Sequence, residues 1–285
     1  MVELSIIIVN YNTSALTEQT VASVQRTVKR HSFEIIVADN SSDKFELFKN
    51  KGGYNNVRFL EIENNGFGNA CNLATEYAQG EFILFLNSDT IVFDNAIDGC
   101  LEFMKKHKSV GITGARLTLT DGRLDHGCKR GFPTPRVSLF YFLKLHKLFP
   151  RIKRFGEYTK SYIPENAVAE VDCVSGAFLL IRKSLFSILG GFDEDFFMYG
   201  EDIDLCYRAK KQGSKIVYYG KSEILHLKGQ SGLHTKSDTV ISHFYNSMRI
   251  FYNKHYKKKY GKLVHIAVMS GITLKHLLTQ KRKPR

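Results

Sequence analysis

Four short apolar runs early in the chain each end in a cluster of Asn, Asp, Ser or Gly. Leu4-Ser5-Ile6-Ile7-Ile8-Val9 ends in Asn10-Tyr11-Asn12, and Glu34–Ala38 ends in Asp39-Asn40-Ser41-Ser42. Val57–Ile62 ends in Glu63-Asn64-Asn65-Gly66, and Phe82–Leu86 in Asn87-Ser88-Asp89-Thr90. Runs this short and this rich in β-branched residues fit strands buried on both faces. Between them, Val21, Val24 and Val28, then Ala70, Leu73, Ala74 and Tyr77, recur at helical spacing. This alternation predicts an α/β fold with a mostly parallel central sheet flanked by helices. Parallel strands bring their carboxyl ends to one edge, where open α/β sheets bind ligands. Asn, Asp, Ser and Gly are also turn formers, so one such cluster says little. Four at the same edge favour a binding site.

The second half is less regular. A helix is expected over 96–106, then a strand at Val110–Gly114 and a hairpin turning at Asp121-Gly122. Residues 130–165 hold Pro133, Pro135, Pro150 and Pro164 among many aromatics, and read as an insertion. Val171–Ile181 reads as one long strand with a small-residue break at Ser175-Gly176-Ala177. A helix from Glu201 ends at Gly213, a C′ glycine. Lys215–Tyr219 and Glu223–Leu227 read as two strands, and Ile241, Phe244, Tyr245, Met248, Phe251 and Tyr252 mark one face of a helix. These elements suggest a catalytic unit over 1–235 and a helical extension over 236–285.

The net charge of +13 is unevenly spread. Residues 239–285 contain eleven Lys and Arg and no acid, and 130–160 contain eight Lys and Arg and one Glu. The remainder is mildly acidic. Two basic, aromatic-rich segments on such a core suit an anionic partner. The final stretch Leu263–Leu278 is short and interrupted by His265, Lys275 and His276, so it fits a helix lying on a membrane surface better than one crossing it. Five dispersed Cys with no CxxC pair suggest reduced thiols in a cytoplasmic protein. The N-terminus lacks the marks of a signal peptide.

Three carboxylates crowd into Glu201-Asp202-Ile203-Asp204. Like charges this close repel, so the arrangement points to a cation, a proton to be moved, or the positive end of a helix dipole. Asp89, at the ligand-binding edge, suits a hard divalent cation shared with substrate phosphates. His226, near the end of an apolar run, reads from its own surroundings as a structural side chain. No Gly-x-x-x-x-Gly-Lys-Ser/Thr loop, no Gly-x-Gly-x-x-Gly after the first strand and no Gly-x-Ser-x-Gly elbow occurs.

Together these motifs resemble the family 2 glycosyltransferases of GT-A fold, over roughly residues 4–232. The resemblance rests on Ser5–Asn12, Val37–Ser42, Asn64-Asn65-Gly66-Phe67-Gly68-Asn69-Ala70-Cys71-Asn72, Leu86–Thr90, Ser175–Phe178, Gly190–Glu194 and Tyr199–Arg208. The Asp-Asn-Ser-Ser and Asn-Asn-Gly-Phe-Gly-Asn forms, with Leu225–Ser231, are most similar to the rhamnosyltransferase branch that builds bacterial surface polysaccharides. The resemblance implies that Asp39 accepts a hydrogen bond from the N3–H of a pyrimidine base, with Asn10, Tyr11, Asn12 and Asn40 lining the nucleotide pocket. Asn65, Gly66, Asn69 and Asn72 would contact the nucleotide and donor sugar, as would Asn87 and Ser88. Asp89 and His226 would hold Mg²⁺ or Mn²⁺, Asn87 standing where many relatives have a first Asp. Ser175, Gly176 and Ala177 would border the acceptor.

Inverting sugar transfer needs a base for the acceptor hydroxyl and a cation for the leaving diphosphate. The resemblance makes Asp202 that base and Glu201 its support. Asp204, roughly 200° around a helix from Asp202, is expected to be scaffold paired with Arg208 at i+4. The expected donor is dTDP-rhamnose, with UDP-GlcNAc, UDP-Gal or UDP-Glc as alternatives, and the acceptor a glycan, free or lipid-linked. The basic segments would then dock on anionic lipid at the inner face of the membrane; a solvated helix or a homo-oligomer contact is the plainer alternative. A nucleic-acid-binding role has the basic tail in its favour but no recognition signature.

Overall fold

The computed structural model describes residues 2–41, 56–149, 151–227 and 238–281. The first elements follow the expected rhythm. Strand β1 (Leu4–Asn10) leads to helix α1 (Ser14–Thr27) and β2 (Phe33–Asp39); β3 (Val57–Glu61) leads to α2 (Phe67–Glu76) and β4 (Phe82–Asn87). Then come β5 (Thr90–Val92), α3 (Ala96–Lys106), β6 (Val110–Thr118), α4 (Pro135–Phe142) and α5 (Leu145–Leu148). The chain continues through β7 (Val168–Glu170), β8 (Phe178–Arg182), α6 (Lys183–Leu189), α7 (Glu201–Lys211), β9 (Lys215–His226), α8 (Asp238–His255) and α9 (Lys262–Lys281).

The strands form one nine-stranded sheet in the order β3-β2-β1-β4-β8-β6-β9-β5, with β7 added on β9. Its first four strands are parallel, and β8 is the first to run against them. Ile6, Ile7, Ile8, Ile35, Ile36, Val37 and the run Phe82–Leu86 are almost wholly buried, as both faces of the sheet are covered. In register, Asn10 lies beside Asp39, Val9 beside Asn87 and Asp39 beside Glu61. The polar clusters therefore do share one edge of the sheet. Ser42, which ends the second cluster, lies outside the described residues, as do Lys228–Ser231 and the 235/236 boundary.

Two expectations are corrected. Residues 171–177 are not strand: Val171 N–H donates to Ile216 O, Cys173 bridges Arg130, and Phe178 N–H closes a turn on Ser175 O. The small residues there bend the chain where a strand would have carried it past the sheet edge. Conversely, Lys215–His226 is one strand, not two; its pairing with β6 shifts register between Tyr219 and Glu223, at Gly220, which allows it to continue. A Cβ on Gly220 would fall 2.3 Å from Glu165 O. The expected hairpin turning at Asp121-Gly122 is present, short, with Gly122 at φ +77° and Thr118 bridging Leu124 antiparallel.

The C-terminal helices rest on α7. Phe196, Tyr207, Phe251, Tyr252 and Tyr256 form a second apolar cluster, against which Val268 and Met269 of α9 pack. Lys254 is paired with Asp193 and with Asp195, and His255 Nε2 lies 2.6 Å from Asp204 Oδ1. All five Cys are buried and free. Among the described residues, no helix is long and apolar enough to cross a membrane.

Candidate active site

At the β1–β2 end of the edge, Asn10 is completely buried and its amide is fully used. Its Nδ2 donates to Asp39 Oδ1 (2.8 Å) and Ser41 Oγ (3.0 Å), while its Oδ1 accepts from Thr13 Oγ1 and Thr17 Oγ1. Asn10 thus braces Asp39 from below and does not line the pocket with its side chain. Asp39 Oδ1 also accepts from the Ser41 N–H and hydroxyl, whereas its Oδ2 has no partner among the described residues. One carboxylate oxygen is held and the other is not. Tyr11 is exposed, and Asn12, at φ +54°, turns its N–H onto Ser41 Oγ. Asn40 reaches Asn64 through Nδ2, and its own Oδ1 is buried without a partner among the described residues.

The third cluster enters α2. Gly66 has φ +100°, and a Cβ there would lie 2.3 Å from Phe197 O. Phe67 N–H donates to the same carbonyl, at 3.0 Å. This close approach joins the start of α2 to the segment just before α7. Asn65 is exposed, and Asn69 keeps a buried Oδ1 without a partner among the described residues. Asn72, expected at the donor, has its amide engaged within the protein: its Nδ2 donates to Phe192 O and Glu194 Oε1, and its Oδ1 accepts from Phe192 N–H. Both ends of its amide are taken up by the Gly190–Glu194 loop, which packs against α2.

After β4, Asn87 is half-buried, while the Ser88 hydroxyl turns inward to Thr13 Oγ1 at 3.1 Å. Asp89 is buried. The three-residue strand β5 pairs antiparallel with the end of β9, placing Thr90 opposite His226. His226 Nε2 consequently lies 3.4 Å from Asp89 Oδ1, and its Nδ1 lies 3.0 Å from Asp125 Oδ2. Burial pulls the His226 pKa down, but the Asp125 and Asp89 carboxylates outweigh it and raise it to about 9. The two acids therefore favour a positive charge at Nε2.

These residues fit a divalent cation. Neighbouring ligands of an octahedral ion at about 2.1 Å stand about 3 Å apart, close to the Asp89–His226 separation. Asp125 holds the far nitrogen of the imidazole, as carboxylates commonly do behind a metal-bound histidine. Among the described residues no group of three His, Cys, Asp or Glu is arranged to hold a metal. Two protein ligands, with the remainder from a diphosphate, is the usual pattern for Mg²⁺-type sites.

The acidic cluster begins α7. Asp202 Oδ2 accepts from Gly176 N–H (3.0 Å) and forms an ion pair with Arg130 Nη2, which also donates to Val174 O. Asp202 Oδ1 has no hydrogen-bond partner among the described residues. Glu201 is buried; desolvation first and the Asp202 charge second push its pKa up to about 8, and its Oε2 has no hydrogen-bond partner among the described residues. Asp204 is scaffold, as expected, held by Arg208 Nε at 2.6 Å and by His255. The Ser175–Ala177 turn links the two halves of the site: Gly176 touches Asp202, and Ala177 O accepts the N–H of Asn87.

Residues 5–186 match the sequence profile of glycosyl transferase family 2. The chain belongs to that family. It is a glycosyltransferase of GT-A fold, similar to rhamnosyltransferases. It is 26% identical to N-acetylglucosaminyl-diphospho-decaprenol L-rhamnosyltransferase of Mycobacterium tuberculosis over 264 residues, 88% of this chain and 85% of that one. It is 28% identical to rhamnosyltransferase WbbL of Escherichia coli K12 over 204 residues, 68% of this chain and 72% of the relative. The crystal structure of S. aureus TarS 1–349 superposes with a TM-score of 0.58 at 16% identity, covering 92% of this chain and 67% of TarS. GalNAc-T7, crystallised with UDP, GalNAc and Mn²⁺, gives 0.61 at 18% identity, covering 97% of this chain and 54% of that one.

Two site residues escaped the sequence reading of this glycosyltransferase. Arg130 opens a segment read as an insertion, and Asp125 lies in a presumed hairpin. Arg130 is brought in by long-range pairing against Cys173, whereas Asp125, paired locally with Leu117, meets His226, 101 residues on. Neither position carries a local signal.

Proposed function

We propose that this glycosyltransferase moves a hexose, with inversion, from a pyrimidine nucleoside diphosphate to a hydroxyl of a surface-glycan acceptor. Rhamnose from dTDP-rhamnose is the favoured donor, supported by likeness to two rhamnosyltransferases. A lipid-linked acceptor is supported by the first of them, whose name describes a diphospho-decaprenol substrate. The observation that carries the reading is Asp202. One of its oxygens is held by Arg130 and Gly176 while the other is left for an acceptor hydroxyl.

In the reaction, the acceptor hydroxyl gives its proton to Asp202 Oδ1 as its oxygen bonds to the anomeric carbon. The bond from that carbon to the diphosphate oxygen breaks on the opposite face, and the nucleoside diphosphate leaves. Asp39 Oδ2 accepts the N3–H of the base, which uracil and thymine both carry. Tyr11, Asn12, Asn40, Asn65, Gly66 and Asn69 surround the nucleotide and sugar, with Asn87 and Ser88 beneath the diphosphate. Ser175, Gly176 and Ala177 border the acceptor. Glu201, uncharged at neutral pH, supports Asp202 without adding a second negative charge. A divalent cation at Asp89 and His226 would offset the charge on the departing diphosphate. Residues 1–235 would be the catalytic unit and 236–285 an extension that buttresses α7.

The test is Asp202→Asn, which changes one atom of the carboxylate. Transfer should fall by at least about a thousandfold while nucleotide-sugar affinity stays within a factor of about three. Loss of donor binding together with activity would remove Asp202 from the role of base. A panel of dTDP- and UDP-sugars in a nucleotide-release assay decides the donor.

A further inference from the structure

Helices α4 and α5 bury very little. Only Val137 of α4 is buried, and no residue of α5. Thr134 caps α4, accepting from Val137 N–H, and Pro135 starts it; Lys144, at φ +58°, breaks it from α5. The break leaves Leu139, Leu143 and Leu148 at 54%, 58% and 68% exposure, with Phe142, Phe149 and Ile152 also exposed. Isolated apolar residues on a surface need no explanation, but six between Leu139 and Ile152, in and just beyond two short helices, do.

The charge around this run is mostly positive, although Glu157 pairs with Arg136 of α4. From His126 to Gly156 the chain carries no Asp or Glu, while Lys144, Lys147, Arg151, Lys153 and Arg154 fall among the apolar residues. A second copy of the chain meeting this face would bring the same positive charge to both sides. A negatively charged lipid surface complements it and accepts the apolar side chains between its headgroups.

The segment is also tied to the catalytic side. Tyr141 of α4 packs on Tyr158, with ring centroids 4.7 Å apart, and Tyr158 O accepts the N–H of Gly131, next to Arg130. Arg130 in turn pairs with Asp202.

We propose that the α4–α5 segment is the surface by which this glycosyltransferase docks on an anionic bilayer, presenting Asp202 to an acceptor held in that bilayer. The docking stands on the exposed face alone; only the nature of the acceptor rests on the proposed function. Helix α9 is the rival surface, since Leu263, Ile266, Leu274 and Leu277 are exposed.

The experiment is sedimentation of the full chain with vesicles, no sugar being present. One vesicle set contains roughly one-third phosphatidylglycerol in phosphatidylcholine, the other phosphatidylcholine alone. The expected result is binding to the first set only, weakened by salt. Leu143→Glu with Leu148→Glu should lower partitioning by about tenfold or more, while Leu274→Glu with Leu277→Glu in α9 should change it less than about twofold. All four residues are exposed, so folding should survive, and transfer to a short water-soluble acceptor should be retained by the first pair. The proposal is overturned if wild type does not bind the anionic vesicles, or if the α4–α5 variant binds as wild type does. It is equally overturned if only the α9 variant loses binding, or if the α4–α5 variant changes oligomeric state and not partitioning. Vesicle binding without sugar transfer would sink the proposed reaction and leave the docking surface standing.

Discussion

The Arg130 guanidinium and the Asp202 carboxylate form a largely buried ion pair at the start of α7, with side chains 15% and 11% exposed. Removing one partner of such a pair strands the other charge, at a cost of about 3–5 kcal/mol. Arg130→Met should therefore lower stability by about that amount in chemical denaturation. Adding Asp202→Asn to it should recover much of the loss, because the stranded charge is gone. A single-variant loss below about 1 kcal/mol would mean that the pair does not hold the site together.

Glu201 gives stability a pH dependence. Its folded pKa is raised from 4.5 to about 8, chiefly by desolvation, so the folded state holds the proton more tightly than the unfolded one. Its contribution to stability is complete below about pH 4.5 and is lost as pH rises through about 8. Glu201→Gln keeps the shape and removes the titration. Its stability relative to wild type should rise between about pH 5 and pH 9, by on the order of 2–4 kcal/mol. Thermal melts of both proteins across that range measure this, and a difference independent of pH would refute it.

Asp125 aims the His226 imidazole at Asp89. Loss of such a supporting carboxylate typically weakens a metal site by about 10–100-fold. Asp125→Asn should weaken Mn²⁺ binding by that factor in calorimetry with UDP present. It should leave UDP binding without metal nearly unchanged. Mn²⁺ affinity within about twofold of wild type would remove Asp125 from this role.

Gly66→Ala probes the junction of α2 with the approach to α7. The substituted residue would have to keep φ +100° with its Cβ 2.3 Å from a backbone carbonyl that cannot swing aside. Local separation of the two segments is the outcome, at a cost of about 2–4 kcal/mol. Gly122→Ala serves as the control: its φ is +77°, but no atom lies within 4 Å of the added Cβ, so its loss should be about 1 kcal/mol. Equal losses would show that backbone strain alone, and not the contact with Phe197, is measured.

Much of the architecture was legible locally. Buried parallel strands need apolar residues on both faces, so Leu4–Val9 and Phe82–Leu86 announce themselves, and the first four strands follow. The helix from Glu201 was legible for the same reason of local pattern, as was the Asp204–Arg208 pair, an i,i+4 contact set by helical geometry alone. The run 171–181 misled because Val171–Val174 is as apolar as a strand, yet its backbone pairs only at isolated points. The hydrogen bonds of Asn72 to Phe192 were not legible, because an Asn can meet a ligand or tie down a loop and Phe192 is 120 residues away.

By itself the sequence determined the strand–helix rhythm, the single edge carrying Asn10, Asp39, Asn65 and Asn87, and the acidic start of α7. These follow from periodicity and chain direction, which act over a few residues. Tertiary structure decided what stands behind each candidate: Asn10 behind Asp39, Asp125 behind His226 and Arg130 behind Asp202. Those partners are 29, 101 and 72 residues apart. Burial makes each such pairing necessary, because a polar group taken out of water must find a partner. Which partner it finds depends on where the sheet brings distant segments together.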